Sequence, residues 1–93
     1  MFMVMGKFAI DPAERNQFLE FARALIPVER TIKGCVGFDM YEDLLTPNSF
    51  LMIEQWENET ALDVYTATEQ YARHDDTLNS FVIGEPVWDE YEF

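Results

Sequence analysis

Residues 34–56, GCVGFDMYEDLLTPNSFLMIEQW, constrain the fold most, because they have the pattern of a β-hairpin. The first arm, residues 36–44, alternates between two faces, and one face carries apolar side chains: Val36, Phe38, Met40 and Leu44. The second arm, residues 50–56, is almost wholly apolar until Glu54. Between the arms, residues 46–49 (TPNS) favour a turn, since proline presets φ and asparagine tolerates left-handed geometry. A strand that is apolar on both faces needs cover on both faces.

The residues before the hairpin predict a strand and a helix. Residues 2–10 alternate with largely apolar side chains on both faces, and Gly6 in mid-strand indicates a bulge or a close approach by another group. Asp11 can cap a following helix, and Pro12 suits its first position. The helical stripe extends to Ile32, with Gly34 as the end, and Pro27 predicts a kink or break near residues 25–26.

The residues after the hairpin predict two helices and a last strand. Asn58 is the expected N-cap of a helix over residues 59–68. A second helix is predicted over residues 69–83, with Gly84 as its end and with an apolar face that comprises Tyr71, His74, Leu78 and Phe81. The last strand is predicted over residues 87–93.

The order strand, helix, strand, strand, helix pair, strand is that of the ferredoxin-like fold. Right-handed crossovers would give one four-stranded antiparallel sheet with all helices on one face, in a single α+β domain over residues 1–93. The other face would then carry apolar residues from several strands, which cannot be left in water. Face-to-face pairing of two sheets in a symmetric homodimer is the simplest way to cover them.

Composition excludes several classes of partner and compartment. Eighteen acidic residues against six basic give a net charge of −12, which disfavours nucleic acids and anionic membranes as partners. No apolar run approaches a membrane span, and the start of the chain lacks the pattern of a signal peptide, so a cytoplasmic protein is expected. The single cysteine, Cys35, cannot form an internal disulfide and is expected to be a small buried hydrophobe. One histidine and one cysteine, far apart, do not predict a metal site.

The chain resembles the antibiotic biosynthesis monooxygenase (ABM) family along nearly all of its length. The resemblance is carried by the first strand before Asp11-Pro12, by Gly34-Cys35, by Tyr41, Pro47 and Phe50 in the hairpin, and by Glu54-x-Trp56 followed by Ala61-Leu62. It implies a dimeric α/β barrel. Relatives in this family include oxygenases of aromatic quinols that need no cofactor, haem-degrading enzymes and an isomerase of a sugar phosphate.

The sequence departs from two patterns of that family. Many relatives have a histidine on the helix after Ala-Leu, where this chain has Tyr65. Haem-degrading relatives have an asparagine on the first strand and a tryptophan near the position of Tyr65, and this chain has neither. Only His74 lies near the later histidine of those enzymes, so haem degradation is disfavoured and no cofactor is expected.

The candidate site residues are one general base and a set of aromatic and apolar side chains. His74 is the only side chain that ordinarily titrates near neutral pH, and it is the predicted base, with Tyr65 as a second catalytic group. Asp75 could orient His74, although neighbours on a helix point in different directions. The predicted substrate-binding residues of the pocket are Trp56, Tyr71, Phe81 and Met40.

These features favour a cofactor-independent monooxygenase that acts on a small aromatic, quinol-like substrate. An isomerase or another enzyme on the same scaffold is an alternative, although an anionic sugar phosphate would require arginine or lysine in the pocket. A non-catalytic module that binds a small apolar or aromatic ligand is the third, since a fold alone does not determine function.

Overall fold

The computed structural model describes residues 1–93 and contains one four-stranded antiparallel sheet with helices packed on it. The strands lie in the order β2-β3-β1-β4, so the first strand is central and the last is at an edge. Their bounds are β1 Phe2–Ile10, β2 Cys35–Glu42, β3 Ser49–Trp56 and β4 Val82–Glu92. This confirms the predicted ferredoxin-like α+β fold.

Three α-helices follow the predicted order, and a short 3₁₀ turn precedes the first of them. The turn is Pro12–Glu14, and the helices are α1 Arg15–Glu29, α2 Glu59–Thr66 and α3 Glu69–Phe81. Two predicted caps are present, because Asp11 Oδ1 accepts from Ala13 N at 2.9 Å and Asn58 Oδ1 accepts from Ala61 N at 2.8 Å. Asp11 therefore caps the 3₁₀ turn that leads into α1, and Asn58 caps α2 itself. No helix is both long and apolar enough to cross a membrane.

Of the kink or break predicted near residues 25–26, the break is wrong, because α1 continues through Pro27 to Glu29, and the kink stays a prediction. Pro27 removes the hydrogen bond to the Arg23 carbonyl, but both residues are exposed, so water can satisfy that carbonyl. The helix also ends before Gly34. The chain then closes in turns, with Thr31 N bonded to Val28 O at 3.0 Å.

The predicted end of α3 at Gly84 is also wrong, because the helix ends at Phe81 and β4 begins at Val82. Gly84 lies within the strand at φ +70°, where the pairing of β4 with β1 shifts register between Lys7 and Ala9. A glycine with positive φ serves a strand irregularity here, and the sequence alone does not distinguish it from a helix end.

The hairpin forms as predicted, with two corrections in its first arm. Leu44 is 97% exposed in the turn and is not part of β2, which ends at Glu42. Val36 is 49% exposed because the register shifts between Cys35 and Gly37, whereas Phe38 on the same arm is buried. The left-handed geometry expected of the turn is present at Asn48, which has φ 66°.

The helices cover the face of the sheet that carries the even-numbered residues of β1. A larger cluster forms around Phe8, Phe18 and Phe50, and a smaller one around Trp56 and Tyr65. Gly34 enables α2 to approach the sheet, since a Cβ at this position would lie 2.5 Å from Ala61 Cβ, and its φ of +87° also favours glycine. The two clusters fix the helices on one side of the sheet.

The opposite face of the sheet, here called the outer face, is apolar and has no helix over it. The register places Met3 beside Tyr91, Met5 beside Ile53, and Lys7 beside Leu51 and Val87. The methionines, Leu51 and Ile53 are half-buried, while Val87 and Tyr91 are exposed. The prediction of apolar residues on this face is therefore confirmed.

Candidate functional site

A cavity of about 410 Å³ lies between the helix-bearing face of the sheet and the three helices. We call it the central cavity. Its sheet side comprises Val4, Phe38, Met52, Glu54, Trp88 and Glu90, and its helical side comprises Leu25, Glu29, Leu62, Tyr65, Thr66, Tyr71, His74, Asp75, Leu78 and Asn79. An apolar cavity with a few polar groups is the usual form of a small-molecule site.

One carboxylate joins the three helices at the wall of this cavity. Glu29 on α1 is only 3% exposed, and its Oε1 lies 2.8 Å from His74 Nδ1 on α3. The same oxygen accepts a hydrogen bond from the Tyr65 hydroxyl on α2. The distance from Tyr65 Oη to His74 Nδ1 is 3.4 Å, so the three polar groups form one compact cluster.

This cluster determines which nitrogen of His74 is available for chemistry. Because Nδ1 faces the Glu29 carboxylate, it carries the proton and donates it, which leaves Nε2 as the acceptor of the neutral ring. Nε2 has no hydrogen-bond partner in the protein. Every buried side-chain nitrogen and oxygen in the structure does have a partner, so Nε2 is not buried and is accessible to solvent. A histidine held in this tautomer by a carboxylate is arranged to accept a proton.

Tyr65 is held neutral by its surroundings. Burial raises the pKa of its phenol well above the ordinary value, and the hydrogen bond to Glu29 raises it further. Burial likewise raises the pKa of Tyr71, which also lines the cavity. Both phenols are therefore neutral near neutral pH, and the Tyr65 hydroxyl donates to Glu29.

A second carboxyl group, Glu54, lies on the sheet side of the cavity. Burial raises its pKa to about 7, the negative charges of Glu29 and Asp75 raise it, and a hydrogen bond from Trp56 opposes the shift. The Trp56 indole donates to Oε1 at 3.2 Å. Burial also raises the pKa of Asp75. Glu54 therefore exchanges a proton near neutral pH.

The charged groups that line the cavity are almost all acidic. Glu29, Glu54, Asp75 and Glu90 contribute carboxyl groups, and no lysine or arginine lies among the lining residues. No group of three or more His, Cys, Asp or Glu residues is arranged to hold a metal ion. The cavity is therefore unsuited to a phosphate or another anion.

Three of the six predicted site residues line the cavity, and three do not. His74, Tyr65 and Tyr71 are lining residues. Trp56 is fully buried and stacks on Tyr65 with ring centroids 5.5 Å apart, so it supports the wall from behind. Phe81 instead packs against Phe18, 5.6 Å between ring centroids.

Met40 also lies outside the lining, and it packs against the larger core cluster. The structure therefore places Trp56, Phe81 and Met40 outside the lining of the cavity, and the reason is shared. Helix and strand periodicity identifies the buried face of an element but does not say which part of that face borders a cavity.

Several functional groups of the cavity were missed by the sequence analysis. Glu29 follows Leu25 at helical spacing and so belongs to the buried stripe of α1. Glu54 shares a strand face with Met52 and Trp56, which are both buried. Charged residues on an apolar face were the available signal for both. Trp88 carried no comparable signal, because its position depends on contact with β1.

Cys35 agrees with its predicted structural role. Its side chain is partly buried, its thiol lies 3.5 Å from the Gly37 carbonyl, and burial raises its pKa. A thiol in this state is a poor nucleophile near neutral pH.

The chain has relatives of known structure. The family model of antibiotic biosynthesis monooxygenases matches residues 1–76. A crystal structure of an antibiotic biosynthesis monooxygenase has a TM-score of 0.88 and 26% identity, with 100% of this chain and 98% of that chain covered. A mutant of SnoaB, a cofactor-independent oxygenase from Streptomyces nogalater, has a TM-score of 0.85 at 14% identity, which shows a shared fold, with 99% of this chain and 91% of that chain covered.

A relative of Synechocystis, the uncharacterized protein sll1783, is 32% identical over 69 residues. The match covers 74% of this chain and 47% of that protein, so the chain spans about half the length of this relative.

Fold and cavity together define an α+β domain of the ferredoxin-like class, with a histidine and a carboxylate paired at the wall of a cavity between the sheet and the helices. The match of the family model to residues 1–76 identifies one family within this fold class. The chain belongs to the antibiotic biosynthesis monooxygenase family.

Proposed function

We propose that this protein is a cofactor-independent monooxygenase that acts on a small aromatic, quinol-like substrate in the central cavity. The observation that carries the proposal is the pairing of His74 Nδ1 with the buried Glu29 carboxylate at 2.8 Å in the cavity wall. Family membership supports an oxygenase, and the name of SnoaB supports one that works without a cofactor.

His74 is the proposed base. The Nε2 atom accepts the phenolic proton of the substrate, and the Glu29 carboxylate stabilises the imidazolium that results. The Tyr65 hydroxyl, which also donates to Glu29, keeps that carboxylate in position. The apolar part of the lining, which includes Val4, Leu25 and Met52, contacts the aromatic ring of the bound substrate.

The substrate supplies all the electrons for the oxygen chemistry. Its phenolate gives one electron to O₂, and the two radicals combine at a ring carbon that bears hydrogen. The peroxide anion that forms takes the proton back from the His74 imidazolium and becomes a hydroperoxide. Loss of water from the hydroperoxide leaves a carbonyl at that carbon, so one oxygen atom enters the product and the other leaves as water. The protein contributes proton transfer and orientation.

The acidic cavity argues against an isomerase of a sugar phosphate on this scaffold. Such a substrate needs cationic groups, and the lining residues include four carboxyl groups and no lysine or arginine. The quinol-like substrate is neutral before His74 accepts its proton, so the same carboxyl groups do not oppose its binding.

We also propose that the functional unit is a homodimer formed through the outer face. Met3, Met5, Leu51 and Ile53 lie on this face without a helix above them. A second copy of the sheet would remove them from water, which is favourable by roughly 25 cal/mol per Å² of apolar area.

Oxygen uptake tests the proposed reaction. Hydroquinones and anthrone-like phenols are supplied to the protein in metal-free buffer, and substrate-dependent uptake of O₂ is expected. The variant His74→Ala should lower kcat/KM by about 10²–10⁴, the usual contribution of a general base. Thr77→Ala, an exposed position on the same helix, is the matched control and should match the unmodified protein.

The melting temperature of each variant separates catalysis from folding. If His74→Ala keeps full turnover per folded molecule, His74 is not the base. If no compound in the series supports O₂ uptake by the unmodified protein, the oxygenase proposal is refuted.

A further inference from the structure

Trp88 is a large aromatic side chain at the central cavity to which the proposed mechanism assigns no role. It lies on β4 opposite Gly6 of β1, lines the cavity, and is 43% exposed. The other tryptophan, Trp56, is fully buried. Trp88 therefore presents indole surface at the site that a ligand could cover.

The absence of a side chain at Gly6 leaves room for the indole of Trp88. A Cβ built on Gly6 would lie 2.3 Å from Cζ3 of Trp88 and 2.7 Å from two further ring atoms. Any other residue at position 6 would have to displace the ring. The close approach predicted for this glycine is therefore made by Trp88, and the ring can come this near to the strand backbone only because position 6 has no side chain.

The charges near Trp88 restrict which ligands can stack on it. Glu90 follows two residues later on the same face of β4, and Glu54 and Asp75 also line the cavity. The face of an indole ring is electron-rich and attracts cations rather than anions. With no lysine or arginine in the lining, an anionic group gains nothing here and is repelled by the carboxylates.

We propose that Trp88, which packs against Gly6, is the surface of the central cavity on which ligands stack. Trp88 and the adjacent carboxyl groups together select planar aromatic ligands that carry no negative charge. The inference rests on the proposed function only in taking this cavity as the substrate site. It makes Trp88 a specificity-determining residue, distinct from the base His74.

Calorimetric titration with three naphthalene probes tests the inference. The probes are 2-naphthol, 2-naphthylmethylamine and 2-naphthoate, which are neutral, cationic and anionic at neutral pH. The unmodified protein should bind the first two and bind 2-naphthoate more weakly. Trp88→Ala should weaken 2-naphthol about five- to tenfold, the range expected for loss of one aromatic stack. Trp88→Phe should retain most of the affinity.

Two further variants make the result specific. Gly6→Ala leaves Trp88 in the chain but displaces its ring, and it should also weaken binding of 2-naphthol. Leu44→Ala, at an exposed position in the hairpin turn, should leave binding unchanged. Melting temperatures identify any variant that fails to fold. If Trp88→Ala does not fold, the affinities of Trp88→Phe and Gly6→Ala for 2-naphthol are compared instead.

The outcomes separate this inference from the proposed reaction. The inference is overturned if folded Trp88→Ala binds 2-naphthol like the unmodified protein, if 2-naphthoate binds best, or if none of the probes binds. If the dependence on Trp88 holds while no quinol supports O₂ uptake, the oxygenase proposal fails and the stacking surface remains.

Discussion

The free energy of unfolding should fall as the pH rises through neutrality, and Glu54 should be a main cause. Its pKa is raised from 4.5 to about 7, chiefly by burial and also by the charges of Glu29 and Asp75. In the unfolded chain, Glu54 is in water and ionises at its ordinary pKa. Between the two pKa values, the folded protein holds a proton that the unfolded chain has released, so a higher pH favours unfolding.

The size of this effect follows from the two pKa values. One pKa unit corresponds to about 1.36 kcal/mol, and the interval from 4.5 to about 7 spans roughly 2.5 units, which gives up to about 3 kcal/mol. The stabilisation is fully present below the unfolded pKa and is lost as the pH rises to the folded pKa. The raised pKa of Asp75 acts in the same direction.

Denaturant unfolding at about pH 5 and about pH 8 measures the effect in the variant Glu54→Gln. Glutamine resembles the neutral acid, so the variant should gain about 2 to 3 kcal/mol relative to the unmodified protein between these pH values. Glu57→Gln, which changes an exposed glutamate just after the same strand, is the control and should show no such gain. The protein concentration is kept constant, because the stability of an assembly depends on it.

Two results would refute the reasoning. One is an equal pH dependence in Glu54→Gln and in the unmodified protein. The other is a gain of the same size in the control Glu57→Gln, which would assign the effect to net charge rather than to burial of Glu54.

Two further predictions concern the hydrogen bonds of Glu29 and the proposed homodimer. Tyr65→Phe removes one of the two donors to the buried Glu29 oxygen and should lower the free energy of unfolding by about 1–3 kcal/mol. Calorimetry should show a lower melting temperature, and an unchanged melting temperature would contradict the role of this bond. Analytical ultracentrifugation at micromolar concentration should give about twice the chain mass of 10.9 kDa, and Ile53→Glu on the outer face should give monomer while Leu44→Glu does not. A monomeric unmodified protein would refute the dimer.

The sequence predicted those parts of the fold that depend on neighbouring residues. The bounds of β1 were predicted correctly because alternation and the following Asp11-Pro12 are local signals. The cap at Asn58 was predicted for the same reason. The continuation of α1 past Pro27 and the position of Gly84 within β4 were not predicted, because they depend on solvent exposure and on strand pairing, which the local sequence does not contain.

The candidate site was only partly predictable, because its contacts join distant parts of the chain. Glu29 lies 36 residues from Tyr65 and 45 residues from His74, and no short motif connects them. The chemistry of His74 was accessible from its residue type, whereas its partner was not. Asp75, its neighbour in sequence, was considered in that role, and Glu29 from another helix occupies it.

The sheet order has a consequence for how the chain folds. β1 lies between β3 and β4, and its pairing with β4 joins residues as far apart as Phe2 and Glu92. During synthesis, β1 emerges early but must keep one edge unpaired until the last strand leaves the ribosome. Contacts of such long sequence separation slow folding, and an open edge strand is prone to pair with other chains. Pairing of β4 with β1 therefore covers the open edge of the central strand and prevents that edge from pairing with other chains.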